Sequence, residues 1–164
     1  MNNVYLLLGS NLDNRENMIR QAVEEIAAKV GTICQSSSVY ESEPWGFKAE
    51  KSFLNQVVKV ETGLGAVELL DKILQIEERL GRRRELNTEG YFSRTIDIDI
   101  LFYNDEIIQG DRLQIPHPHI PQRMFTLLPL CELNGSLIHP VYNKSLEDLR
   151  AECPDRNLVV IFNS

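Results

Sequence analysis

Two carboxylates two positions apart, Asp97 and Asp99, follow directly on a guanidinium in the run Arg94-Thr95-Ile96-Asp97-Ile98-Asp99. The alternation from Ile96 to Tyr103 predicts a strand, with Ile96, Ile98, Ile100 and Phe102 on one apolar face and Thr95, Asp97 and Asp99 on the other. Side chains two apart on a strand are separated by roughly 6.6 Å, so the two carboxylates can bracket a pair of magnesium ions spaced about 3.5–4 Å. Magnesium suits such a pair because it needs few protein ligands and takes the rest from water and phosphate oxygens. Alone, an Asp-x-Asp on a half-exposed strand is more often two solvated carboxylates.

The neighbourhood changes that balance. Arg82, Arg83 and Arg84 follow a predicted helix and Arg94 precedes the aspartate strand, a basic cluster able to clamp phosphate oxygens or simply to complement a helix C-terminus. The connection from Gly81 to Ser93, long for a compact domain, reads as a lid. Pro116-His117-Pro118-His119 sets two imidazoles in a rigid turn; no cysteine stands at ligand spacing, so a phosphate donor fits His117 better than a zinc ligand does, while His119 reads as a solvated loop residue. Asn55, in the otherwise apolar run after Phe53-Leu54, is an amide that needs partners if buried, and Phe53, Phe125 and Trp45 could stack on a flat heterocycle beside it.

These residues need a scaffold, and the periodicities supply one. Val4 to Leu8 predicts a buried strand ended by Gly9-Ser10-Asn11, followed by an amphipathic helix over Asn14 to Val30. Two strands, Thr32 to Glu41 and Phe53 to Glu61, flank a loop broken at Glu43-Pro44-Trp45-Gly46. A second helix over Ala66 to Leu80 stops at Gly81. After the aspartate strand come a turn at Asn104-Asp105, a short pairing strand over Glu106 to Ile108, and a helix near Phe125 to Glu132. The order β-α-β-β-α-β predicts an α+β fold with a ferredoxin-like core, an antiparallel sheet with helices on both faces, the second face being covered by extra C-terminal elements. The 164 residues, 43% of them hydrophobic, fit one domain spanning 1–164.

The net charge of −7 opposes a general affinity for nucleic acid or anionic membrane, so bound phosphate must meet a local basic cluster. Cys34, Cys131 and Cys153 show no CxxC spacing and read as reduced thiols, favouring the cytoplasm. The apolar N-terminal run is too short to span a bilayer or act as a secretion signal.

In this order the segments resemble the 6-hydroxymethyl-7,8-dihydropterin pyrophosphokinases of folate biosynthesis: Gly9-Ser10-Asn11-Leu12, Ser38-Val39-Tyr40 with Pro44-Trp45-Gly46, Phe53-Leu54-Asn55, Glu77 with Gly81-Arg82, Arg94 through Leu101, and Arg112-Leu113 to Arg123-Met124-Phe125. The resemblance fades after about Pro140. It implies transfer of the diphosphate of ATP to a hydroxymethyl pterin with release of AMP, two magnesium ions on Asp97 and Asp99, and no obligate protein partner, as a monomer. It further implies a pterin pocket of Ser42, Glu43, Pro44, Trp45, Phe53, Asn55 and Phe125. For ATP it implies Arg84, Ile100, Arg112, Leu113, His117 and Arg123, with Arg82 and Arg94 stabilising transition-state charge.

The sequence departs from the family at Glu89-Gly90-Tyr91-Phe92-Ser93, where Trp-Gly-Pro is usual before the arginine, and at Gln114 and Pro118, where threonine and tyrosine are common. Two other readings compete. A nucleotidyltransferase also places Asp-x-Asp after a Gly-Ser turn, but there the pair follows closely, whereas Ser10 and Asp97 stand 87 positions apart. A non-catalytic ferredoxin-like metabolite-binding module would leave the aspartates as surface charges.

Overall fold

The computed structural model describes residues 1–11, 14–42, 52–82 (without the Arg82 side chain) and 96–163. Its elements in chain order are β1 (Asn2–Ser10), α1 (Arg15–Lys29), β2 (Thr32–Ser36), β3 (Tyr40–Ser42), β4 (Phe53–Thr62), α2 (Ala66–Glu77) and a π-helical turn, Glu78–Arg82. Then follow β5 (Asp97–Tyr103), β6 (Ile108–Gln109), β7 (Gln114–Ile115), a 3-10 turn at Ile120–Gln122, α3 (Met124–Asn134), α4 (Leu146–Glu152) and β8 (Val159–Ile161).

The main sheet runs β5-β1-β4-β3-β8, with β2 also on β4, and every pairing is antiparallel. Both faces of its centre are covered, which explains why β1 reads as an unbroken apolar run rather than an alternating one. On the first face Leu6, Leu8, Val58 and Ile98 pack with Ile26 of α1 and Ile73 of α2. On the second, Tyr5, Leu7 and Val57 pack with Leu127 and Leu130 of α3 and Leu149 of α4. No described helix is long and apolar enough to cross a membrane.

Local chemistry moves several boundaries. β1 does not stop before Gly9; Gly9 and Ser10 stay in the strand, paired with Asn55 and Leu54. The single strand expected over Thr32 to Glu41 is two strands, because Ser37 Oγ accepts from the Val57 amide at 3.0 Å and so replaces a ladder bond with a side-chain one. Gly81 does not end the second helix, whose last turn widens into the π-helical turn containing it. The short strand after the Asn104 turn pairs with β7, not with β5.

The alternation of β5 is also interrupted. Tyr5 faces Phe102 and Leu6 faces Ile100, a bulge that leaves Leu101 without an opposite number. Leu101 and Phe102 therefore both enter the second core, while Tyr103 joins the isoleucines in the first; Phe102 does not share the Ile96, Ile98, Ile100 face.

Candidate active site

Register fixes which side chains meet. Gly9 of β1 lies opposite Asn55 of β4 on one side and Asp97 of β5 on the other, and Tyr40 of β3 lies beyond Asn55. Directly opposite residues share a face, so Tyr40, Asn55, Gly9 and Asp97 form one cross-strand row on the second face of the sheet. The next row holds Asp99, Leu7 and Val57, and Ser42 opposite Phe53 completes the set on the far side. With strands about 4.8 Å apart, the Asn55 and Asp97 backbones stand roughly 10 Å from each other across Gly9.

Where α3 no longer covers this face, the rows open into a cavity of about 480 Å³. Its lining brings together Ser42, Phe53, Asn55, Asp97, Asp99, Arg123 and Phe125 of the sequence-predicted residues. Leu7, Gly9, His119 and Gln122 join them. Gly9 and Leu7 were hidden by their place in an apolar strand, though the Gly-Ser pair at its end was a usable signal. His119 is exposed yet on the cavity wall, so it is more than a remote loop residue.

Asn55 is 4% exposed. Its Nδ2 donates weakly to the Leu8 carbonyl at 3.4 Å, and its Oδ1 has no partner among the described residues. Gly9 makes that position possible, since a Cβ there would meet Asn55 Nδ2 at 2.6 Å. We expect Gly9→Ala to displace the amide and raise the KM for the substrate held there by about tenfold or more, with a small loss of stability; an unchanged KM in steady-state assays would show that the amide is not held by that close approach.

Neighbouring contacts hold the walls. β5 is an edge strand of the described sheet, and its Ile98 amide donates to Glu77 Oε2 at 2.7 Å, tying the aspartate segment to the end of α2. The Glu132 carboxylate of α3 accepts from the Ser38 amide, from Ser38 Oγ and from Tyr40 Oη, the last at 2.6 Å. Burial and that carboxylate push the Tyr40 hydroxyl up to about 12. Asp155 Oδ2 accepts from the Met124 amide at 2.9 Å and so caps the helix turn that presents Phe125, over whose ring Arg123 Cζ sits at 5.5 Å.

Of the other residues implied for ATP, the described ones, Ile100, Arg112, Leu113 and His117, do not line this cavity. Ile100 is buried in the first core and Leu113 packs against it. Arg112 reaches Asp71 at 2.8 Å on the surface, an exposed pair worth little and readily exchanged for phosphate. His117 lines a second cavity of about 450 Å³ with His139 and Tyr142. Glu43, Pro44, Trp45, Arg84, Arg94 and the expected lid lie outside the described residues, as does the Arg82 side chain.

Burial, with the Arg123 guanidinium and His119 adding to it, pushes the His117 imidazole down to about 4. It is therefore neutral at pH 7, and because Nδ1 accepts from the His119 amide at 3.2 Å, the ring proton sits on Nε2, free to donate. Between about pH 6.5 and 4 the unfolded chain holds a proton here that the folded chain does not, so stability falls as pH drops through that window, by on the order of 1–2 kcal/mol after screening. His117→Gln should flatten the acid limb of the stability profile in urea titrations from pH 7 to 4.5; an identical slope would locate the titration elsewhere.

Comparison with known proteins accords with this geometry. Residues 5–135 match the 7,8-dihydro-6-hydroxymethylpterin-pyrophosphokinase (HPPK) family. A 2-amino-4-hydroxy-6-hydroxymethyldihydropteridine pyrophosphokinase of Aquifex aeolicus is 41% identical over 152 residues, 93% of this chain and 92% of its own length. One from Bacillus subtilis is 42% identical over 135 residues, 81% and 79% of the two chains. Among solved structures, a Plasmodium falciparum HPPK-DHPS protein shares the fold at a TM-score of 0.73 and 20% identity; 92% of this chain is covered but only 44% of that one. This chain belongs to the 7,8-dihydro-6-hydroxymethylpterin pyrophosphokinase family, and its activity is the transfer of diphosphate from ATP to the hydroxymethyl group of the dihydropterin in folate biosynthesis.

Proposed function

We propose that the transfer runs in the cavity between Asn55 and the aspartate pair, with the pterin on the Asn55 side and the ATP phosphates on the side of Asp97 and Asp99. The observation that carries this is a buried amide whose Oδ1 is unpartnered among the described residues, in the same cross-strand row as Asp97. The roughly 10 Å between their backbones suits a bicyclic heterocycle with a one-carbon arm reaching toward phosphate. Asn55 orients the ring, Phe53 and Phe125 stack on it, and Ser42 with Glu43, Pro44 and Trp45 completes its wall. Leu7 keeps the floor apolar and excludes water.

On the other side, Arg123 and the Nε2–H of His117 meet phosphate oxygens, joined by Arg84 and Arg112, while Ile100 and Leu113 serve the adenine. Arg82 and Arg94 act on the moving diphosphate. A pair of half-buried carboxylates facing a cavity is an all-oxygen donor set, which fits magnesium. Two such ions, held by Asp97 and Asp99, would neutralise charge on the attacking and leaving oxygens. Asn55 and the aromatic walls hold the hydroxymethyl oxygen in line with the β-phosphorus, so the bond broken is the one between the α- and β-phosphates.

The strand order also supports the finer reading of the fold. Taking β2 and β3 together as the second strand of the core, β5, β1, β4 and β3 follow one another as fourth, first, third, second, the arrangement of a ferredoxin-like core. We read residues 1–164 as one domain acting as a monomer. Three free cysteines favour the cytoplasm. The decisive experiment incubates the protein with ATP, magnesium and the reduced hydroxymethyl pterin and follows phosphorus NMR. AMP and pterin diphosphate should appear one to one; ADP as the sole nucleotide product would overturn the reading.

A further inference from the structure

The two strands that carry Ser42 and Phe53 are tied together by a guanidinium from the start of α1. Arg15 Nη1 donates to the Ser52 carbonyl oxygen at 2.7 Å and to Ser52 Oγ at 2.8 Å, and Nη2 donates to Glu41 Oε2 at 2.9 Å. Ser52 Oγ donates to that same Glu41 oxygen at 2.6 Å. Glu41 and Ser52 immediately precede Ser42 and Phe53, which face each other in the ladder. Because side chains alternate along β3, the Glu41 carboxylate leaves the sheet on the α1 side while Ser42 lines the cavity on the other. The clamp thus sits behind the pocket wall, and Arg15, Glu41 and Ser52 are not among the described residues that line the cavity.

A second brace comes from the C-terminus. β8 pairs with β3 through Tyr40–Ile161, Glu41–Val160 and Ser42–Val159, and the Phe162 amide donates to the Val39 carbonyl at 2.8 Å. Phe162 then lies against Arg15, whose Cζ is 5.5 Å from the ring centroid. β8 and Phe162 fall beyond positions 5–135 that match the family. β3 has three residues and few ladder bonds of its own, so its position depends on what grips it from either side.

We propose that Arg15 is a positioning residue for the pterin wall, and that β8 with Phe162 holds it, making the C-terminal segment a working part of the substrate pocket. The proposal rests on the reading of the cavity given above. The side chains of Arg15 and Glu41 are 19% and 33% exposed, shielded enough for charged hydrogen bonds to act as a clamp. Losing it loosens Ser42 and Phe53 but leaves Asp97 and Asp99 on the opposite edge of the sheet undisturbed.

The test uses the full chain and measures kcat, the KM for each substrate and the melting temperature of Arg15→Met, Arg15→Lys, Glu41→Gln and Phe162→Ala. Arg15→Met should raise the KM for the hydroxymethyl dihydropterin about tenfold while the KM for ATP stays within about twofold; Arg15→Lys should recover part of the loss, and Glu41→Gln and Phe162→Ala should shift the same parameter about threefold. If Arg15→Met does not fold, Glu41→Gln and Phe162→Ala carry the same comparison. Equal changes in both KM values, or none, in a variant that melts well above the assay temperature would overturn the positioning role. Asn55→Leu run alongside separates the two ideas: if it leaves the pterin KM unchanged, the pocket reading fails; if it raises that KM and the clamp variants do not, only the present proposal fails.

Discussion

Asp97→Asn and Asp99→Asn should each lower turnover by about 10³-fold or more while the folded protein and its melting temperature change little. The two aspartates leave the sheet on the face that opens into the cavity, whereas Ile96, Ile98 and Ile100, which anchor the strand, point into the first core. Asparagine keeps the shape and removes the charge, so the packing beneath is untouched. On the proposed reading, either substitution would take away half the carboxylate charge available to hold magnesium, and charge neutralisation on a transferring diphosphate is worth several kcal/mol, each 1.36 kcal/mol being about tenfold in rate. Steady-state kinetics across a magnesium titration provide the measurement. Turnover within a few-fold of wild type for either variant at saturating magnesium would remove the aspartate pair from the reaction.

That expectation was legible in the sequence because strand alternation is a short-range property: Ile96, Ile98 and Ile100 against Asp97 and Asp99 needs no tertiary information. The second helix was legible for the same reason, its buried Leu69, Ile73 and Ile76 falling at helical spacing. Alternation failed two residues later, at the Leu101 bulge, where both neighbours are apolar and no pattern marks the extra residue. It failed again at Ser37, whose hydroxyl substitutes for a backbone group. Gly9 was missed as a wall residue because its importance lies in what it lacks, and only pairing across the sheet reveals that Asn55 needs the space. β8 carries only three residues, and its pairing with β3 joins Val159 to Ser42 and Ile161 to Tyr40, far apart along the chain. Long-range registers of that kind leave no local trace.

Asn55→Leu separates function from stability in opposite directions. In the free protein the amide oxygen is buried without a partner among the described residues, a state that costs about 1–3 kcal/mol, and the Nδ2 bond to Leu8 at 3.4 Å returns little. Replacing the amide by an apolar side chain of similar shape removes that cost, so the variant should melt at the wild-type temperature or a few degrees above it. The Leu8 contact and the close approach of Gly9 fix Nδ2 toward β1 and leave Oδ1 as an acceptor, which suits the 2-amino group or a ring N–H of a 2-amino-4-hydroxypteridine. A site built around a hydrogen bond discriminates strongly once the bond is lost, so the KM for the dihydropterin should rise by about 10²-fold or more. The pairing itself is testable: a pterin analogue lacking the 2-amino group should bind much less tightly than the parent compound to wild type, but nearly as tightly as the parent to Asn55→Leu. If the amino group meets Asn55 Oδ1, the two losses overlap; if they add in full, the amide serves another partner and the pterin lies differently in the cavity.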